Sequence, residues 1–66
     1  AGAHPAMTGA ELREARKAAG VTQAWLARQL EVSVGTVSAW ETGRRKIRNG
    51  WLAGLRAALT VGRRKA

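Results

Sequence analysis

The chain has 66 residues, enough for one domain, and its twelve Lys and Arg against four acidic residues give a formal net charge of +8. It has no cysteine and one histidine, His4, which excludes disulfides and Cys-based metal sites, so no metal or cofactor is expected. No stretch of 18 apolar residues and no secretory signal is visible, so we expect a cytoplasmic protein without a membrane span. The excess of positive charge favours an anionic partner such as nucleic acid.

The first predicted helix follows residues 1–7, which are expected to be a disordered extension or a cloning scar. Thr8 and Glu11 have the spacing of a capping box, in which each residue satisfies the backbone N–H of the other. Gly20 is expected to end this helix. Its narrow apolar face, at spacings of three and four, consists of Leu12, Ala15 and Ala19.

Two further short helices are predicted next, with a polar cap before each. The second helix begins after Thr22 and ends near Leu30, and the third begins after Ser33, runs over residues 34–42 and ends at Gly43. Apolar residues at helical spacing are expected to face the core, namely Val21, Leu26, Ala27, Leu30, Val37 and Trp40.

The last part of the chain is predicted to be a basic loop, a helix and a basic tail. The loop, residues 44–48, contains Ile47 as its one apolar anchor, and Asn49 is expected to cap the fourth helix. Residues 61–66 are expected to form the tail, which leaves a domain over residues 8–60. Because no segment alternates with a period of two, the fold class is all-α, a compact bundle of four short helices, or five if a stub is counted. The apolar face of the fourth helix consists of Leu52, Leu55 and Leu59.

Residues 22–43 contain the most informative pattern, because two short helices are separated by about three residues. This is the geometry of a helix-turn-helix, whose second helix lies in the major groove of DNA. Ala27 is small where the two helices would cross, and Val32 is apolar because the turn must insert into the core.

In combination, these residues resemble the phage-repressor type of helix-turn-helix, the Cro/cI-like or XRE family, whose fold is lambda-repressor-like. The resemblance implies a transcriptional regulator, a repressor, that binds double-stranded DNA as a homodimer and is located on a bacterial or phage nucleoid. Glu31 occupies a position where such domains usually have glycine, so a positive φ there would be strained by roughly 1 kcal/mol. The residues that carry the resemblance are Thr22, Gln23, Leu26, Ala27, Leu30, Val32, Ser33, Thr36, Val37, Ser38, Trp40, Glu41 and Gly43.

The resemblance also implies which residues contact DNA. The side chains predicted to face bases include no Arg, Lys, Gln or Asn, so modest direct readout, contacts to thymine methyl groups and a share of shape readout are expected. The residues predicted to contact bases are Ser33, Val34, Gly35, Thr36, Ser38 and Ala39. Phosphate contacts are expected from Gln23 and from the cations Arg13, Arg28, Arg44, Arg45, Lys46 and Arg48.

Two tryptophans are candidate interface residues. Trp25 is expected either to contact a partner or the DNA backbone, or to cover the surface of its own domain, and Trp51 either to pack on Ile47 or to form a dimer contact. Trp40 is assigned to the core, and Glu41 could pair with an arginine such as Arg16.

Three other functions compete with DNA-dependent regulation. An antitoxin or accessory protein of the same fold, acting through a protein partner, stays open as the alternative. A membrane-binding helix is disfavoured because the apolar faces are used in mutual packing. An enzyme is rejected because the four glutamates are dispersed and form no acid–base pair.

Overall fold

The computed structural model describes residues 7–65, which form four α-helices with short connections. Both α1 and α2 pack against α3 and against α4. The predicted all-α helix-turn-helix bundle is therefore confirmed. Residues 1–6, which contain His4, lie outside the described part, whereas Met7 is partly buried against the core. The helices are α1 (Gly9–Ala19), α2 (Gln23–Leu30), α3 (Val34–Thr42) and α4 (Asn49–Lys65).

The core takes one fully buried aliphatic side chain from each helix. Burial of such a side chain contributes about 1.5–3 kcal/mol to folding, so these four positions hold the helices together. Around them lie the other apolar positions predicted to face inward, of which Val21, Leu30 and Ala15 are only partly buried. No helix in the described range is both long and apolar enough for a bilayer. The four fully buried side chains are Leu12, Leu26, Val37 and Leu55.

The first three helices begin at the predicted caps. The side-chain oxygens of Thr8, Thr22 and Ser33 each accept a hydrogen bond from the backbone N–H three residues further on, at 3.1, 2.9 and 3.2 Å. Glu11 completes the capping box, since its Oε1 accepts from the Thr8 N–H at 2.9 Å. These local bonds satisfy N–H groups that a helix start leaves without a partner, so the starts are fixed by short stretches of sequence.

The same three helices each end at a residue with left-handed backbone. The φ angles are 73° at Gly20, 59° at Glu31 and 84° at Gly43. Among the residues described, Glu31 is the one non-glycine with a positive φ, as its position predicted. Its N–H still donates to the Arg28 carbonyl oxygen at 3.2 Å, so the turn forms in spite of the strain.

Replacing Glu31 with Gly is expected to raise the free energy of unfolding by up to about 1 kcal/mol, because glycine adopts this backbone without steric strain. The extra freedom of glycine in the unfolded chain offsets part of the gain. Urea unfolding followed by circular dichroism measures the net change in the free energy of unfolding. Glu31→Ala, which keeps the strain, is the matched control, and a glycine variant no more stable than the alanine variant would contradict the prediction.

Both ends of α4 differ from the sequence prediction. The helix begins at Asn49 itself, where a cap was predicted, and the Trp51 N–H donates to the Arg48 carbonyl oxygen at 2.9 Å. At its other end the helix continues to Lys65, through residues predicted to be a basic tail beyond residue 60.

The contact that explains the longer helix is a close approach at Gly62. A Cβ atom at this position would lie 2.8 Å from Cγ1 of Val21 and 3.4 Å from Cη2 of Trp25. The absence of a side chain therefore lets α4 pack directly on these two residues. This tertiary packing stabilises a helical turn that local sequence alone leaves undecided.

Candidate nucleic-acid interface

The turn between α2 and α3 fixes the position of α3. It consists of residues 31–33, in which the Val32 N–H donates to the Ala27 carbonyl oxygen at 3.0 Å and the Val32 side chain packs partly buried against the core. On the inner side of α3, Val37 and Trp40 are 0% and 2% exposed. The helix therefore packs on the core with this side, and the residues on its opposite side are exposed or partly exposed.

The six residues predicted to contact bases lie at the start and on the outer side of α3. Ser33, Val34 and Gly35 are exposed, and Val34 has 47% of its surface accessible. Thr36, Ser38 and Ala39 are partly exposed. The structure thus brings all six to one end and one side of a single helix.

Three hydroxyl groups on this surface are already hydrogen-bonded within α3 and its cap. Ser33 Oγ and Thr36 Oγ1 lie 3.0 Å apart, and Thr42 Oγ1 donates to the Ala39 carbonyl oxygen at 3.3 Å. Thr42 is exposed and was not predicted as a site residue. Thr42 follows Ser38 by four residues, which places it on the same face of the helix. This spacing could have identified it from the sequence.

An ion pair joins α1 to the end of α3. Arg16 Nε donates to Glu41 Oε2 at 2.6 Å and Nη2 donates to Oε1 at 3.2 Å, so the pairing suggested by the sequence is confirmed. Arg16 Nη1 also donates to the Val21 carbonyl oxygen at 3.0 Å. The Glu41 side chain is only 3% exposed, and Arg16 therefore holds three parts of the chain together.

Gln23, predicted to contact a phosphate, has an internal partner that the sequence did not reveal. Its Nε2 donates to Glu41 Oε1 at 3.0 Å, which joins the first residue of α2 to α3. An amide nitrogen carries two hydrogens, so one N–H can still serve an external acceptor.

The charge state of Glu41 follows from these contacts. Burial is the largest single influence and by itself raises the pKa of the carboxyl group. The hydrogen bonds from Arg16 and Gln23, together with the positive charges of Arg16 and Arg13, outweigh burial and lower the pKa below its ordinary value of 4.5.

Stability should therefore decrease in acid because of Glu41. Its folded-state pKa lies below the unfolded value, so the ionised group contributes fully above about pH 4.5, and this contribution is lost as the pH falls through the folded pKa. Urea unfolding of the native chain and of Glu41→Gln between pH 7 and pH 3 tests this. The difference in the free energy of unfolding between the two proteins should shrink below pH 4.5. A difference that stays constant with pH would contradict this prediction.

All six predicted phosphate-contacting cations are exposed, and four of them lie in the loop after α3. The loop is folded back on α3, because the Arg45 N–H donates to the Ala39 carbonyl oxygen at 3.1 Å. Ile47, 6% exposed, anchors it in the core as predicted. The loop cations are thus held beside the outer face of α3. The exposed cations are Arg13, Arg28, Arg44, Arg45, Lys46 and Arg48.

Each of the two candidate interface tryptophans makes a contact inside the chain. The rings of Trp51 and Trp40 have centroids 5.4 Å apart at an interplanar angle of 57°, so Trp51 packs on Trp40, where the sequence suggested Ile47 or a dimer contact. Trp25 lies against the helix at Gly62, and both rings stay partly exposed. Within residues 7–65, no three His, Cys, Asp or Glu residues cluster as metal ligands would.

Two short helices joined by a tight turn, with the outer side of the second uncovered beside exposed cations, define a DNA-binding domain of the helix-turn-helix class. A family model described as "Helix-turn-helix domain" matches residues 8–65, and the chain therefore belongs to that family. The match begins at the Thr8 cap and ends with α4. No curated protein and no solved structure matches the chain.

Proposed function

We propose that this protein binds specific sequences of double-stranded DNA and regulates transcription as a repressor, with α3 inserted into the major groove. The observation that carries the proposal is the division of α3 into two sides. Val37 and Trp40 are buried on one side, while Ser33 to Gly35 are exposed where the helix begins. Such an exposed first turn is the part of a recognition helix that reaches base edges.

The chemistry of the exposed side favours short-range contacts. Its hydroxyl groups offer single hydrogen bonds, and Val34 and Ala39 offer apolar contact to thymine methyl groups. No side chain among the six can form the bidentate bonds that best distinguish G or A. We therefore infer that DNA shape contributes a sizeable share of the specificity. The proposed base-contacting residues are Ser33, Val34, Gly35, Thr36, Ser38 and Ala39.

The exposed cations and Gln23 are proposed to contact phosphates. The second N–H of Gln23 would donate to a phosphate oxygen at the N-terminus of α2, while its first stays on Glu41. Such contacts supply affinity and orientation on the duplex. The other proposed phosphate contacts are those of Arg13, Arg28, Arg44, Arg45, Lys46 and Arg48.

The salt dependence of binding to a labelled duplex tests this arrangement. Replacing Arg44 and Arg45 with Ala should make the negative slope of log K against log salt shallower by about 1.8 for each bound protomer, since each lost phosphate contact removes about 0.9. The matched control removes two exposed cations from the end of α4, Arg63 and Arg64, and should leave the slope unchanged. Equal effects of the two pairs would mean that only net charge matters, and would overturn the proposed interface.

The proposed homodimer and sequence specificity have a separate test. Selection of bound sequences from random duplexes should enrich a palindrome whose half-sites are about one helical turn apart. Binding without any enriched sequence would contradict the sequence-specific role. Co-purification with an unrelated chain would favour the accessory or antitoxin role, with Trp25 as the candidate contact.

A further inference from the structure

A groove of about 310 Å³ lies beside α3, where Thr36 and Trp40 border it. Its walls include Thr36 of α3, the loop cations Arg45, Lys46 and Arg48, and Trp51 of α4. Ligand pockets range from roughly 300 to 1,000 Å³, so this space, hereafter the Trp51 groove, suits one small group.

The charge of the Trp51 groove is not balanced by nearby acids. Three cations border it, while the chain's four acidic residues, all glutamates, lie outside its lining. Glu41, the acid at the end of α3, is bound to Arg16 and Gln23. A concave surface with one sign of charge attracts and concentrates the opposite charge, so the groove favours an anion.

An aromatic ring beside these cations narrows the class of anion. Trp51 is half-buried and fixed by its contact with Trp40, so its ring presents a partly exposed surface to the groove without loss of side-chain freedom on binding. Aromatic rings stack with nucleobases, and Arg and Lys bind phosphates. The C–H groups of a sugar also offer an aromatic ring an apolar surface to pack on. A bare phosphate would leave the Trp51 ring without a partner, whereas a nucleoside phosphate can contact both the ring and the cations.

We propose that the Trp51 groove binds one nucleoside phosphate unit of the bound duplex, with the phosphate on the loop cations and the sugar against Trp51. The inference rests on the proposed DNA binding. Thr36, a proposed base-contacting residue, borders the same groove, so one strand can contact α3 and Trp51 in continuity. Trp51 thereby becomes a contact residue of this chain in addition to the cations.

Tryptophan emission and the anisotropy of a labelled duplex, recorded together at low salt, test the proposal. Duplex should change the emission of the native chain and of Trp25→Phe, whereas Trp51→Phe should lose most of this change. Trp51→Phe should also bind duplex about fourfold more weakly, the effect of burying roughly one CH₂ group less against the sugar. Both substitutions replace a half-buried indole with a smaller ring, so each controls for the other, and circular dichroism reports folding. Replacing Arg45 and Arg48 with Ala keeps Trp51 in place and should also remove the emission change.

The outcomes separate this proposal from DNA binding itself. Trp40 also borders the groove, so affinity is read together with emission. If Trp51→Phe binds duplex as tightly as the native chain does, the Trp51 groove is not a contact, although DNA binding stands. In a second arm of the experiment, the emission is recorded with deoxyadenosine monophosphate, and inorganic phosphate serves as the control that lacks a base and a sugar. A Trp51-dependent response to the nucleotide but not to duplex would assign the groove to a free nucleotide and overturn the duplex as its source. If duplex does not bind at all, the proposed function fails and this proposal fails with it.

Discussion

Replacing Glu41 with Ala is expected to lower the free energy of unfolding by about 3 kcal/mol. The substitution leaves the Arg16 guanidinium, whose side chain is 15% exposed, and the Gln23 amide without their shared acceptor. Removal of one partner from a buried ion pair costs about 3–5 kcal/mol, and the partial exposure of Arg16 places this case at the lower end. A chain of this length is held by only about 3–10 kcal/mol in total, so the loss is a large share of its stability.

Urea unfolding of a double-mutant set measures the effect. Replacing Arg16 with Met and Glu41 with Leu together removes the unpaired charge, so the double variant should be more stable than Glu41→Ala alone. A loss below about 1 kcal/mol for Glu41→Ala would show that the pair behaves like an exposed one.

Replacing Gly9 with Ala is expected to destabilise the domain by about 2 kcal/mol, although alanine normally favours helices. A Cβ at this first residue of α1 would clash with the Trp40 carbonyl oxygen and lie 2.8 Å from that of Glu41. Both are backbone atoms near the end of α3, so α1 must move away from α3 to admit the methyl group. Overpacking of this kind costs about 1–3 kcal/mol.

Gly50 provides the matched control, because it too lies in the first turn of a helix. No atom lies within 4 Å of a Cβ at this position, so Gly50→Ala should stabilise the chain by about 0.5 kcal/mol through helix propensity alone. The melting temperature should fall in Gly9→Ala and rise in Gly50→Ala. A shift of the same sign and size in both would rule out the close approach of α1 to α3.

The first three helices were predictable because their boundaries depend on residues close in sequence. Thr22 and Ser33 satisfy N–H groups three residues away, and Gly43 supplies the left-handed residue that ends α3. The outer side of α3 was likewise predictable, since helical spacing assigns Val37 and Trp40 to the core and leaves the other side exposed.

What the sequence did not reveal depends on contacts between distant segments. Gly62 followed by basic residues has the local pattern of a helix end, and only the packing of Val21 and Trp25 on it accounts for the longer α4. The bond from Gln23 to Glu41 depends on the relative placement of α2 and α3 and on side-chain torsions, neither of which spacing specifies. Gly9 had no local signal, because its role is set by carbonyl groups of another helix.

Because only one side of α3 packs in the core, residues on its outer side can be substituted without a change in core packing. Gly35 has no neighbour nearer to a Cβ than Ser33 Oγ at 3.8 Å, and Ser38 lies on the outer side, away from buried Val37. Longer amide or guanidinium side chains introduced at these two positions would extend outward from the helix and leave the core packing as it is. Under the proposed function, a protein engineer could therefore add bidentate contacts to guanine or adenine bases while the melting temperature stays nearly constant.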